Sequence, residues 1–191
     1  MHRITLLQLD TQFPRIPGDV GSVDTFKCDL EIIRVPNATV KEVVNSNPNQ
    51  IDLDPFFNAI NKATGDLITT SCGFLSPFQS ELDAICNVPF IASSLVQLEH
   101  LKNIYTPPEL QIITFDAVKL GVAHLPEKCE DFAGSIYGLN SNAHLRNVIE
   151  NNIKQLDPVK AATDVCAVVE QNNNKLVKSI SLECTNLPPY K

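Results

Sequence analysis

Basic residues are few in this chain and nowhere clustered. The 15 lysines and arginines stand against 22 aspartates and glutamates, for a formal net charge of −7. Nucleic acid and anionic membrane surfaces are thereby excluded as main partners, because both select for a concentrated positive face. No apolar run approaches the ~20 residues that cross a bilayer as a helix, so no membrane partner is expected. The opening Met1-His-Arg-Ile-Thr-Leu-Leu-Gln-Leu-Asp10 has a short apolar stretch broken by Gln8 and no small-residue cleavage site. It reads as a first strand and not as an export signal. The six cysteines, at 28, 72, 86, 129, 166 and 184, include no CxxC pair. A reducing cytoplasm with free thiols is the expected setting. His124 and Cys129 form an isolated pair, too little for zinc, so neither a metal nor any other cofactor is expected. The sequon Asn37-Ala38-Thr39 has no meaning in that compartment.

What is present is an ordinary globular composition, 43% hydrophobic over 191 residues, long enough for a sizeable core. Strand and helix signals alternate, which predicts an α/β fold with a mainly parallel sheet. Strands are predicted over 3–9, 29–35, 67–71, 88–92, 111–115, 135–139 and 176–182. Between them fall helices at 39–46, after Ser93 or Ser94, after Asp116 and after Asn142. Asp54-Pro55 pairs an N-cap with proline at the first helical position, for a helix to about Thr64. Ser76-Pro-Phe-Gln79 reads as a capping box opening a helix to about Ile85. Asp157-Pro158 starts a longer helix to about Val169. No low-complexity linker divides the chain. A boundary near Tyr105-Thr-Pro-Pro-Glu109 gives a first domain over 1–104 and a second over 105–191.

Two cysteine segments match each other. One is Leu67-Ile-Thr-Thr-Ser-Cys72-Gly-Phe-Leu-Ser-Pro-Phe78; the other is Ser179-Ile-Ser-Leu-Glu-Cys184-Thr-Asn-Leu-Pro-Pro-Tyr190. Aligned on the cysteines, both have isoleucine four residues before, leucine three after, proline five after and an aromatic six after. Each cysteine follows a β-type run, at the strand end where parallel sheets bind ligands. The helix-start signal after Cys72 offers free N–H groups and partial positive charge, which favour a thiolate or a ligand carboxylate. Two thiols on repeated loops can serve one ligand and suit the transfer of a proton from one face of a carbon to the other. Each sulfur would approach that carbon at about 3–3.5 Å, which places the sulfurs roughly 6–8 Å apart.

Candidate substrate-binding residues surround this pair. Asp10 and Thr11 end the first strand on the same edge. Arg15, between Pro14 and Pro17, is either a bidentate carboxylate ligand or the partner of Asp19. Ser71, Gly73, Thr185 and Asn186 flank the cysteines; Ser71 also reads as an ordinary strand residue, and Thr185 and Asn186 as capping groups. Cys28, Cys86, Cys129 and Cys166 read as core, and the four histidines as surface or helix residues.

At Leu9-Asp-Thr-Gln-Phe-Pro-Arg-Ile-Pro-Gly-Asp-Val-Gly21, Thr69-Thr-Ser-Cys72-Gly-Phe74 and Leu182-Glu-Cys184-Thr-Asn-Leu-Pro-Pro-Tyr190, the chain resembles the aspartate/glutamate/hydantoin racemase superfamily. The resemblance implies two pseudo-symmetric α/β/α domains with the active site in the cleft between them. It implies catalysis without pyridoxal phosphate, in which one of Cys72 and Cys184 removes a Cα proton while the other delivers one to the opposite face. The expected function is racemisation or epimerisation of an amino acid or related small carboxylate. A same-fold decarboxylase or cis–trans isomerase, and a non-catalytic binding protein, are the alternatives; a homodimer is an allowed assembly. Asn186 departs from the family pattern, since glutamate racemases carry histidine there and aspartate racemases often glutamate. Relatives continue past the position of Lys191 with another helix and strand, so the second domain is expected to lack them.

Overall fold

Every strand in this protein runs parallel to its neighbours, as alternating strands and helices require. The computed structural model describes residues 2–191. In chain order the regular elements are β1 (Arg3–Gln8), β2 (Asp29–Arg34), α1 (Val40–Val43), α2 (Asp54–Ile60), β3 (Leu67–Thr70), α3 (Gln79–Asp83), β4 (Phe90–Ile91), α4 (Leu98–Leu101), β5 (Leu110–Thr114), β6 (Ser135–Gly138), α5 (His144–Glu150), α6 (Pro158–Gln171) and β7 (Ser179–Leu182). Four strands form one sheet in the order β2-β1-β3-β4, and three form another in the order β6-β5-β7. The central strands carry the core: Leu6 and Leu7 on β1 and all of β5 are buried, as expected of strands covered on both faces. The two sheets share one continuous apolar cluster, from Leu7 and Phe74 to Ile112 and Leu187. The Ser94 hydroxyl donates to the Leu182 carbonyl across them at 2.7 Å. Among the described residues no helix is long and apolar enough to cross a membrane.

Several local expectations are corrected. No α-helix follows Asp116. Its carboxylate accepts from the N–H groups of Val118 (3.1 Å) and Lys119 (3.4 Å), closing a turn instead; short acidic side chains offer the backbone this alternative to helix. Only short 3₁₀ turns, over Val122–His124 and Glu127–Cys129, form there. Helical structure after Cys72 begins at once, as a 3₁₀ turn over Gly73–Phe78 that leads into α3. Ser76 is therefore inside the turn rather than capping it, and its hydroxyl has no partner. Gln79 does not close a capping box: its amide bonds the Phe90 carbonyl and the Ala92 N–H, each at 2.8 Å. Asp54 lies within α2, and Asp52 accepts from its N–H at 3.1 Å. Asn142 does not cap α5; Asp164, reaching from α6, accepts from the Leu145 N–H at 2.8 Å. Asp157 does cap α6 as predicted, accepting from Val159 and Lys160.

His124 is fully buried, not at the surface. Its ring packs edge-on to Phe74 with centroids 4.8 Å apart. Nδ1 accepts from the Gly121 N–H at 3.1 Å and Nε2 meets the Asn45 carbonyl at 2.7 Å, so Nε2 carries the proton. Burial lowers its pKa and keeps the ring neutral. Of the cysteines read as core, Cys129 is buried, Cys28 and Cys86 are half-buried and Cys166 is exposed. Cys166 follows Val165 on α6, whose buried stripe is Ala161, Val165 and Val168; the next residue along faces away.

Candidate active site

The matched cysteine segments fold into matched turns. Cys72 leaves β3 in extended conformation (φ −144°, ψ 122°), and the chain then coils into its 3₁₀ turn. The Phe74 N–H faces the Cys72 sulfur and the Asn186 N–H faces the Cys184 sulfur, each favouring the thiolate. The Leu75 N–H meets the Cys72 carbonyl at 3.3 Å; the Leu187 N–H meets the Cys184 carbonyl at 3.0 Å. Leu75 and Leu187, the leucines three residues on, are both fully buried and anchor the turns. The repeat therefore runs down to the individual N–H groups that address each sulfur. A hydrogen bond of 3.1 Å from the Thr185 hydroxyl to the Ser71 carbonyl joins the two turns directly. The Ser71 hydroxyl in turn accepts from the Leu9 N–H at 3.0 Å, tying the pair to the end of β1.

Both thiols are 7% exposed and line one cavity of about 20 Å³, together with Thr11, Arg15, Ser71, Gly73, Glu183 and Asn186. Burial pushes both thiols upward, and the adjacent Glu183 carboxylate adds to the rise at each. At Cys72 the Phe74 N–H and the Arg15 charge act in the opposite direction. At Cys184 the Asn186 N–H does so, against further repulsion from Asp19 and Cys72. In this closed arrangement both sulfurs are thiols.

A polar relay reaches from Arg15 to Cys184. Arg15 Nη1 contacts Asp19 Oδ1 at 3.0 Å, in an ion pair whose side chains are 8% and 2% exposed. Nη1 also reaches the Thr185 hydroxyl and Nη2 the Thr11 hydroxyl, each at 3.3 Å. The guanidinium lies 4.7 Å from the centre of the Phe13 ring, and Nε has no hydrogen-bond partner. Asn186 donates to the second Asp19 oxygen and receives the Cys184 thiol at 3.5 Å. Arg15 thus pairs with Asp19, but from a buried position rather than at the surface, and it lines the cavity. Burial raises the Asp19 pKa, with Arg15 as the main opposing influence.

Of the residues picked from sequence, Thr11, Arg15, Ser71, Cys72, Gly73, Cys184 and Asn186 line the shared cavity. Thr185 is bonded to both Arg15 and Ser71. Asp10 is elsewhere, on the rim of a separate cavity of about 430 Å³ with Asn37, Thr39, Glu42 and Asp52. Sequence reasoning did not select Glu183. Burial raises its carboxyl to about 7, against a hydrogen bond from the Thr114 hydroxyl (2.5 Å) and the pull of the Gly73 N–H. The internal alignment held the signal: Glu183 takes the place that Ser71 takes in the first segment.

The fold is that of the aspartate racemases. Aligned with the Picrophilus torridus aspartate racemase, the chain gives a TM-score of 0.58 at 12% identity, covering 99% of this chain and 84% of the racemase. With an aspartate racemase homologue from Pyrococcus horikoshii the TM-score is 0.51 at 14% identity, covering 100% and 88%. In sequence, the chain is similar to a dimethylsulfoniopropionate lyase from Durusdinium sp. clade D, 26% identical over 97% of this chain and 65% of the lyase. It is also similar to dimethylsulfoniopropionate lyase 3 from Emiliania huxleyi, 28% identical over 97% of this chain and 52% of that protein. The chain thus spans between half and two thirds of the length of these curated relatives. No family model matches it.

Proposed function

We propose that this protein is a cofactor-independent enzyme that removes the proton from the carbon α to a carboxylate, with Cys72 and Cys184 as the proton-transfer groups. The observation that carries this reading is the pair of matched turns presenting two thiols to one cavity beside Arg15. Arg15 holds the substrate carboxylate; its unpartnered Nε and its fixed guanidinium plane suit that task. A thiol must first ionise, and the N–H facing each sulfur favours the charged form. Thiolate attack on the Cα–H bond leaves a carbanion delocalised into the carboxylate. When the α carbon is stereogenic, the second thiol returns a proton to the opposite face, and the outcome is racemisation or epimerisation. Asn186, an amide, has no part as acid or base; it holds Asp19 and the Cys184 thiol in place.

A second outcome is favoured by the two curated relatives, both dimethylsulfoniopropionate lyases. In a substrate with a sulfonium on the β carbon, the electron pair released at Cα forms the Cα–Cβ double bond and expels the dialkyl sulfide. The proton stays on the enzyme and is passed to solvent. Proton removal at Cα is common to both outcomes, whereas the same-fold decarboxylation would break the carbon–carboxylate bond instead.

The deciding experiment incubates the protein in deuterium oxide with a panel of amino acids, hydantoins and dimethylsulfoniopropionate. Incorporation at Cα with inversion supports the racemase outcome; release of dimethyl sulfide with acrylate supports elimination. Unlabelled, unchanged substrate across the panel, with binding detectable by calorimetry, would leave a binding protein in place of an enzyme.

A further inference from the structure

Glu183 is a buried carboxylate in the middle of a site whose chemistry requires anionic sulfur. It sits between the end of β7 and Cys184, and its side chain spans from β5 of its own sheet to the turn that follows β3. One oxygen, Oε2, receives the Thr114 hydroxyl at 2.5 Å, from the end of β5. The carboxylate also lies close against the backbone of Gly73, the residue after Cys72, whose N–H favours its charged form. The approach to Gly73 is close: a Cβ built on Gly73 would lie 2.1 Å from Glu183 Oε1 and 2.4 Å from its Cγ. Glycine at 73 is what allows the carboxylate this position. One side chain therefore holds the Cys72 turn against the strand that carries Cys184.

We propose that Glu183 is the positioning residue of the two-cysteine site, clamping the Cys72 turn to the Cys184 turn and, by gaining or losing its own proton, deciding how readily either sulfur becomes a thiolate. This rests on the proton-transfer reading of the two cysteines and deepens it. The charged groups around the three sites divide clearly. Arg15 faces Cys72 and favours its thiolate. Asp19 faces Cys184 and opposes its thiolate. Asp116, itself paired with Arg146 at 3.0 Å and with Lys119 at 4.0 Å, opposes ionisation of Glu183. Glu183 is the group that opposes ionisation at both sulfurs. Its carboxyl titrates at about 7, so near neutrality the clamp exists in both forms. With the proton on Glu183, a thiolate forms against one fewer neighbouring anion. With the proton gone, both sulfurs hold theirs more tightly.

The test needs no substrate, which separates it from the test of the reaction. Iodoacetamide alkylation of each cysteine is followed by peptide mass spectrometry from pH 6 to 10, with exposed Cys166 as the reference thiol. Glu183→Gln keeps the shape and an acceptor oxygen but removes the charge. It is expected to raise the alkylation rate of Cys72 and Cys184 at least tenfold at pH 8, to remove the inflection near neutrality from their rate–pH profiles, and to leave Cys166 unchanged. Glu183→Asp keeps the charge with a shorter reach and is expected to show no such rise. Unchanged rates and profiles at Cys72 and Cys184 in folded Glu183→Gln overturn the proposal. Should that variant fail to fold, side-chain carboxyl ¹³C NMR of the wild-type protein decides. A Glu183 signal titrating near neutrality, with an inflection in thiol alkylation at the same pH, supports the proposal. A Glu183 titration in the ordinary carboxylate range overturns it.

Discussion

The side chain of Glu183 occupies the space where a side chain of Gly73 would be, 110 residues away in sequence and on the other sheet's loop. A methyl at 73 would meet Glu183 Oε1 at 2.1 Å, and the carboxylate cannot simply swing away while Thr114 holds its other oxygen. Gly73→Ala is therefore expected to cost about 1–3 kcal/mol of stability, as overpacking in a closed interior does. Adding Glu183→Ala should recover much of that loss, giving a coupling of at least about 0.5 kcal/mol in a double-mutant cycle. Urea midpoints of the four proteins provide the check. Additive effects would mean that the two residues do not compete for this space.

Cys72→Ser and Cys184→Ser should each abolish turnover, because a serine hydroxyl is too weak an acid to replace a thiol in this step. The variants need not be silent in the same way. If each thiol serves one face of the carbon, each single variant keeps slow isotope exchange of one enantiomer and loses it for the other. Wild-type rates with either variant would remove that cysteine from the reaction.

Arg15→Lys should raise KM at least tenfold with a smaller effect on kcat, since an ammonium cannot match the planar, two-point geometry of a carboxylate. Arg15→Gln goes further and leaves Asp19, 2% exposed, as a buried carboxylate without its cation. Breaking such a pair costs about 3–5 kcal/mol. Thermal unfolding should therefore place Arg15→Gln well below Arg15→Lys. Equal KM values for wild type and Arg15→Lys would take Arg15 out of substrate binding.

Stability should respond to pH through two groups of opposite sign. The folded pKa of His124 lies below its ordinary 6.5. Above that value both states hold a neutral ring. As pH falls below it the unfolded chain takes up a proton that the fold refuses, and stability is lost. Glu183 behaves in reverse. Its folded carboxyl is raised from 4.5 to about 7, so the fold keeps a proton that the unfolded chain has released. Stability from this group is full below 4.5 and is lost as pH rises through about 7, by roughly 3 kcal/mol in all. The stabilising effect of Glu183→Gln should accordingly grow between pH 5 and pH 8, and His124→Asn should flatten the acid limb. Parallel stability curves for Glu183→Gln and wild type would contradict the assignment.

The sheet strands and the two cysteine turns were legible in the sequence because their signals are local. Parallel strands announce themselves as short apolar runs between turns. The cysteine turns repeat isoleucine, leucine, proline and aromatic at fixed spacings, and the buried Leu75 and Leu187 show why: each plugs its turn into the core. Ser71, Gly73 and Asn186, which line the cavity beside them, followed from adjacency. What escaped was set by tertiary contact. Glu183 differs in kind from its counterpart Ser71, and its importance lies in Gly73 and Thr114, which no spacing rule connects to it. Asp10 shares a strand end with Thr11, yet the alternation of side chains along extended backbone sends neighbours apart, and Asp10 opens on another cavity. The cap of α5 comes from Asp164 on a different helix. His124 gave no sign of burial, because both its partners are backbone groups.

The cavity between the thiols, about 20 Å³ in this structure, is far below the roughly 300 Å³ at which small-ligand pockets begin. It admits a water molecule and nothing larger. A substrate larger than water therefore meets a form of the protein more open than this one. Its apparent dissociation constant is the intrinsic one divided by the fraction of molecules in that form. A tight resting site thus weakens capture by the same factor that it disfavours opening. Affinity at such a site is in part a population ratio, adjustable at residues that never touch the ligand.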